Sequence, residues 1–154
     1  MSFMSDLGGR YVNNGYAVLP LMPDSKAPGI YKSGRWGGYF EWTNHCSRLT
    51  TAIEIEVWSN YPDAGIGVAG GSAVGIDIDV VEDEAVAIEI EQLARRLLGE
   101  TPLTRIGFYP KRLLVYRAAT PFAGFKAHPI EVLARGQQFV ATPSTPKPVS
   151  PTSG

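Results

Sequence analysis

Hydrophobic and polar positions alternate with a period of two over several short runs of the chain, and only two stretches carry a helical period. "GYAVLPL" (residues 15–21) reads as a short strand, and the Pro/Gly-rich "MPDSKAPGIYKSGRWGGY" after it reads as a loop. "TTAIEIEVWSNYP" predicts a helix capped by Thr50 or Thr51 and ending before Pro62, with Ile53, Val57 and Tyr61 on one face and Trp58 beside them. "AGIGVAGGSAVGIDIDV" predicts two strands joined by Gly70, Gly71 and Ser72. The clearest helix is "EDEAVAIEIEQLARRLLG": acids fill its first turn, Arg95 and Arg96 lie near its end and Gly99 stops it. Its inward positions are predicted to be Ala85, Ile88, Leu93 and Leu97. "LTRIGF", "RLLVYRA" and "PIEVLAR" predict three further strands, and "QQFVATP" is expected to pair with the last of them across the Arg135-Gly136 turn. The pattern predicts an α+β fold of mixed sheets flanked by helices: one compact domain over residues 1–141, with a proline-rich tail or linker at 142–154.

One run breaks its own pattern. "AVGIDIDVVEDEA" (residues 73–85) sets Asp77 and Asp79 inside a strand that is otherwise apolar. Residues i and i+2 of a strand project to one side, so the two carboxylates stand together while Ile76, Ile78 and Val80 point the other way. Such a pair repels itself unless a cation lies between. Hard divalent ions such as Mg²⁺ or Mn²⁺ prefer carboxylate oxygens and bring phosphates with them. The competing reading is a strand edge with both aspartates solvated or capping the next helix.

Charge adds a second clue. The chain's net charge is −1, yet residues 50–100 carry eleven acids against two bases, and residues 101–154 carry seven bases against one acid. That one acid is Glu131, in the strand-like "PIEVLAR" between Ile130 and Val132. It either pairs with Arg112 or Arg135, or serves as third ligand of a metal site with Asp77 and Asp79, as two-metal phosphoryl chemistry requires. A near-neutral chain is not built to coat nucleic acid non-specifically, although a local basic groove is compatible with it. The single cysteine, Cys46, forms no internal disulfide or thiolate zinc site. No signal peptide or membrane-length apolar run is visible, so a cytoplasmic protein without a membrane partner is expected.

The order "GYAVLPLMPDSKAP", "YPDAGIGVAGGSAVGIDIDV", a basic strand, and "IEVLARGQQFVATPS" resembles the N-terminal domain of bifunctional DNA primase/polymerases, of the archaeo-eukaryotic primase superfamily found in phage and plasmid replication proteins. The resemblance covers residues 15–144. It implies a metal-dependent nucleotidyl transferase of DNA replication or of a mobile element. Asp77 and Asp79 match the family's first acidic pair and Glu131 its later single acid, together holding two Mg²⁺ or Mn²⁺ ions. Lys111 and Arg112, then Lys26, would meet the triphosphate of a dNTP or NTP and a single-stranded DNA template. A C-terminal helicase domain would be the natural partner of the linker-like tail. One departure stands out: where the family carries a histidine that contacts the incoming nucleotide, "GFYPKRLLVYR" has Leu113. His128, three residues from Glu131, is expected in a loop facing away.

The missing histidine gives weight to a second class, a catalytically degenerate primase-like module that binds nucleotide or single-stranded nucleic acid. A third, the Asp-nucleophile phosphatase suggested by the Asp-x-Asp strand, lacks the later acidic pair that chemistry needs. Gly70 and Gly71 read as turn glycines, since no lysine or helix follows as in a phosphate-binding loop. Trp36, Tyr39, Phe40 and Trp42 beside Arg35 read as a folded-down hydrophobic patch, with base stacking as the alternative.

Overall fold

The computed structural model describes residues 2–142, so the proline-rich segment 143–154 lies outside the described residues. The class is α+β, as the pattern predicts, and the chain divides into two compact units.

The first unit comprises residues up to Ala69 together with those from Phe139. A π-wound turn at Met4–Gly8 runs into α1 (Gly9–Asn13). Strand β1 (Val18–Leu21) pairs antiparallel with β4 (Gly65–Ala69), and β10 (Gln138–Thr142) lies on the other side of β4. Helix α2 (Ala52–Trp58) begins at Thr51, whose side chain accepts from the Glu54 amide while the Glu54 carboxylate accepts from the Thr51 amide, a reciprocal capping box. Its inward residues are Ile55 and Trp58, which join Met4, Val18, Tyr61 and Ile66 in the core, whereas Ile53 and Val57 face solvent.

The loop expected after β1 is in part a hairpin, β2 (Gly29–Lys32) and β3 (Arg35–Gly38). Ser33 and Gly34 both have positive φ, the backbone of a tight two-residue turn whose twist suits the flanking strands. The density of glycine and proline around it hid the strand residues Ile30, Tyr31 and Trp36. Trp36 packs edge-on against Tyr31 and Tyr61, and Tyr39 against His45 and Trp58, so most of the aromatic patch is half-buried against the core. Phe40 stays exposed.

The second unit spans residues 70–138. Its frame is a five-stranded sheet of order β6-β7-β5-β9-β8, formed by β5 (Ala73–Ile78), β6 (Thr104–Ile106), β7 (Arg112–Arg117), β8 (Phe125–Ala127) and β9 (Ile130–Leu133). Every ladder in it is antiparallel. Helix α3 (Glu84–Leu98), capped by the Asp83 side chain on the Val86 amide, covers one face. There Val74, Ile76 and Ile78 of β5 pack with Leu114, Val132 and Ala87, and Ile90 and Ala94 lie against them. Each fully buried side chain of this kind contributes about 1.5–3 kcal/mol.

Two expectations are corrected by this packing. The inward stripe of α3 is Ala87, Ile90 and Ala94, not Ala85, Ile88, Leu93 and Leu97: three residues at three- and four-residue spacing pack on the sheet, in a rotation that also sets Glu91 against Arg112. And β10 does not pair with β9 across the Arg135-Gly136 turn: it joins β4 in the other sheet. The chain around the turn packs closely on Gly70. A Cβ on Gly70 would lie 2.0 Å from the Ala134 carbonyl oxygen, and the Gly70 amide donates to the Gln137 carbonyl at 2.8 Å. Gly70 is thus needed for backbone approach, in line with its reading as a structural glycine.

Candidate active site

Strand β5 is the centre of its sheet, and Asp77 is its least buried position. Asp77 pairs with Leu113 of β7 on one side and with Glu131 of β9 on the other. Leu113 in turn pairs with Arg105 of β6, and Glu131 with Lys126 of β8. Directly opposed residues of antiparallel strands project to one side of the sheet. Arg105, Leu113, Asp77, Glu131 and Lys126 therefore form a single row across all five strands. Since Ile76, Leu114 and Val132 face α3, this row is on the opposite face.

Asp79 follows β5 by one residue and extends its alternation, its amide donating to the Pro129 carbonyl at 2.8 Å. The ammonium of Lys111 lies 3.7 Å from Asp77 Oδ2 and 3.5 Å from Asp79 Oδ1. Asp77 Oδ1 is buried and accepts no hydrogen bond from the protein. Burial raises the Asp77 carboxyl above its ordinary range, Lys111 and Arg105 work against that rise, and the charges of Asp79 and Glu131 add to it. The Arg105 guanidinium is pulled down by burial, with Asp77 opposing, and its Nε is buried without a hydrogen-bond partner.

The structure thus brings Asp77, Asp79, Glu131 and Lys111 to one face. Arg112 is not among them. It is buried on the α3 side, where its Nη1 donates to Glu91 Oε1 at 3.1 Å and its Nε to the Pro110 carbonyl at 2.9 Å. Arg112 thus lies on the face away from Asp77 and Asp79, because neighbours on a strand point to opposite faces and Lys111 and Leu113 take the acidic one. Lys26 is exposed in the β1–β2 loop, in the first unit and outside the one that carries the acidic row. His128 is exposed, as expected of a loop histidine.

Two residues of the row escaped sequence reasoning. Arg105 is the one charged residue in "LTRIGF", and only its register with Leu113 places it in line with Asp77. Lys126 lies on β8, a strand too short to leave a periodic signal.

The donor set suits a hard divalent cation, being all carboxylate oxygen with one buried oxygen lacking any partner. Among the described residues, no three Asp, Glu, His or Cys side chains are yet grouped as ligands of one ion. The Lys111 ammonium is the cation that meets Asp77 and Asp79.

The central antiparallel strand and the residue just past it thus carry an Asp-x-Asp pair, with a third acid opposite on the neighbouring strand and a helix covering the other face. The chain belongs to the family of bifunctional DNA primase/polymerase N-terminal domains, whose model matches residues 9–153. No curated protein matches the chain significantly. Family membership implies nucleotide and DNA as partners. Among the described residues, no helix is long and apolar enough to cross a membrane.

Proposed function

We propose that the domain is a metal-dependent nucleotidyl transferase that extends a primer on a single-stranded DNA template within a replication or mobile-element protein. The observation that carries this reading is the placement of Asp77, Asp79 and Glu131 on one sheet face, with a buried Asp77 oxygen left without a partner.

In this role the transfer joins a 3′-hydroxyl oxygen to the α-phosphorus of a dNTP or NTP and breaks the bond to the β-phosphate, releasing pyrophosphate. Bound Mg²⁺ or Mn²⁺ would neutralise the triphosphate and acidify the hydroxyl. Asp77, Asp79 and Glu131 would hold that charge in place. Lys111 and Arg105 supply positive charge on the same face, and phosphate oxygens are what such groups bind. The protein's work is positioning and charge compensation, which is most of what displacement at phosphorus asks of a catalyst.

A second reading rests on Leu113. It is fully buried directly opposite Asp77, and the sequence resemblance matches it to the family's nucleotide-contacting histidine. On that reading the domain binds nucleotide or single-stranded DNA without incorporating it.

Calorimetric titration of dATP with Mn²⁺ present, followed by primer extension, separates the two. The enzyme reading expects binding and incorporation that both disappear in Asp77→Asn/Asp79→Asn. Binding without incorporation by the wild type would favour the binding module, and incorporation unchanged in the double variant would remove the acidic pair from the site.

A further inference from the structure

The fixed position of Lys111 gives it a role beyond general basicity. Its amide donates to the Phe108 carbonyl at 2.9 Å, which ties the backbone into the turn before β7. Extending the register Asp77↔Leu113 and Ile78↔Arg112 by one step sets Lys111 against Asp79. Its side chain therefore starts on the acidic face, and its ammonium reaches both carboxylates at 3.5 and 3.7 Å. Both distances exceed the ~2.7–2.9 Å of a charge-assisted hydrogen bond. The ammonium is shared between the aspartates and docked on neither. The Lys111 side chain is a quarter exposed, and its flexible stem can swing toward solvent or another anion.

We propose that Lys111 is a built-in counter-ion: its ammonium holds the place between Asp77 and Asp79 and leaves it only when an incoming triphosphate offers another anion, so that divalent-cation binding and nucleotide binding are coupled. The inference rests on the reading of Asp77 and Asp79 as the metal-holding pair. An ammonium a few ångströms from two carboxylates repels any second cation brought to the same oxygens. Cation binding alone is therefore penalised. A triphosphate reverses the balance, because Lys111 can turn to a phosphate oxygen as a point charge and free the carboxylates. The other charges on this face do not replace it: Arg105 stands beyond Leu113, and Lys126 beyond Glu131. Reciprocity then requires nucleotide affinity to rise with the cation by the same factor.

The test is titration of Mn²⁺ alone, dATP alone, and each in the presence of the other, on the full chain. The proteins are wild type, Lys111→Met, Lys111→Arg and Asp77→Asn. Lys111→Met is expected to bind Mn²⁺ alone roughly tenfold more tightly than wild type, and to lose a similar factor of the mutual enhancement between Mn²⁺ and dATP. Lys111→Arg keeps the charge and should behave as wild type toward Mn²⁺ alone. Melting curves establish that the variants fold, and Lys111→Gln gives the same comparison should the Met variant aggregate. If Lys111→Met binds Mn²⁺ no more tightly while Asp77→Asn weakens it, the metal site stands and the counter-ion role falls. Should neither wild type nor Lys111→Met bind Mn²⁺ in an Asp77-dependent way, the metal reading and the coupling fall together.

Discussion

Asp77 and Glu131 face each other across adjacent antiparallel strands, β5 and β9, at the middle of the five-stranded sheet. They lie 54 positions apart in sequence, and the ladder makes them cross-strand neighbours. The carboxylate of Asp77 is held in a partly buried place that favours its neutral form. A charge in that place is costly to the native state, and the proposed site would use it.

Asp77→Asn tests that use. The folded carboxyl titrates above its unfolded value, so the stability gained from its protonated form is present at low pH and lost as pH rises through the folded value. At neutral pH the native state carries a buried charge that the amide removes. The variant should therefore melt no lower than wild type, while primer extension with Mn²⁺ falls by ~10²-fold or more. A lower melting temperature with unaltered extension would make Asp77 structural.

Arg105→Met probes the same row from its other end. The arginine's Nε is buried without a partner, so its loss should leave the stability to urea unchanged or raise it. Contacts to a charged group contribute about 1.5–3 kcal/mol, so dATP affinity should fall by ~10–100-fold. Unchanged affinity would remove Arg105 from the nucleotide's surroundings.

Arg112 and Glu91 form the pair beneath α3, and their role is expected to be stability alone. Arg112→Ala removes one partner of a largely buried pair and should cost about 3 kcal/mol in urea unfolding. Arg112→Met/Glu91→Leu should regain most of that, since apolar side chains of similar size often replace such pairs without loss. In both proteins the folded fraction should bind dATP within twofold of wild type. A large loss of affinity in the double variant would return Arg112 to the nucleotide.

Glu54 gives the pH dependence a definite sign. Its hydrogen bond to Arg48 and its bonds within the Thr51 capping box hold the carboxyl at about 2, well below its ordinary 4.5, although burial opposes them. A depressed carboxyl contributes stability that is present above the unfolded value and is lost as pH falls toward the folded one. Wild type should therefore lose stability between pH 4.5 and about 2, and Glu54→Gln should flatten that slope while starting lower at pH 7. Urea midpoints at pH 7 and pH 3 for both proteins would show it, and parallel slopes would assign the acid sensitivity elsewhere.

What the sequence by itself determined is local. The alternation of "AVGIDIDV" puts Asp77 and Asp79 on one face and the isoleucines on the other whatever the partners are, because strand period is a property of the backbone. A threonine at 50 or 51, acids in a first turn and Gly99 mark helix ends for equally local reasons, and the order of motifs placed the chain in its family. Tertiary structure decided which strand lies beside which, and therefore which side chain joins the row. Lys111 and Arg112 are indistinguishable as adjacent basic residues, yet a register in which Leu113 opposes Asp77 sends the first to the acidic face and the second beneath α3. A slip of one residue would exchange them. The same holds for α3: its sequence offers apolar residues on more than one side, and packing on the sheet turns Ala87, Ile90 and Ala94 inward, with Glu91 meeting Arg112.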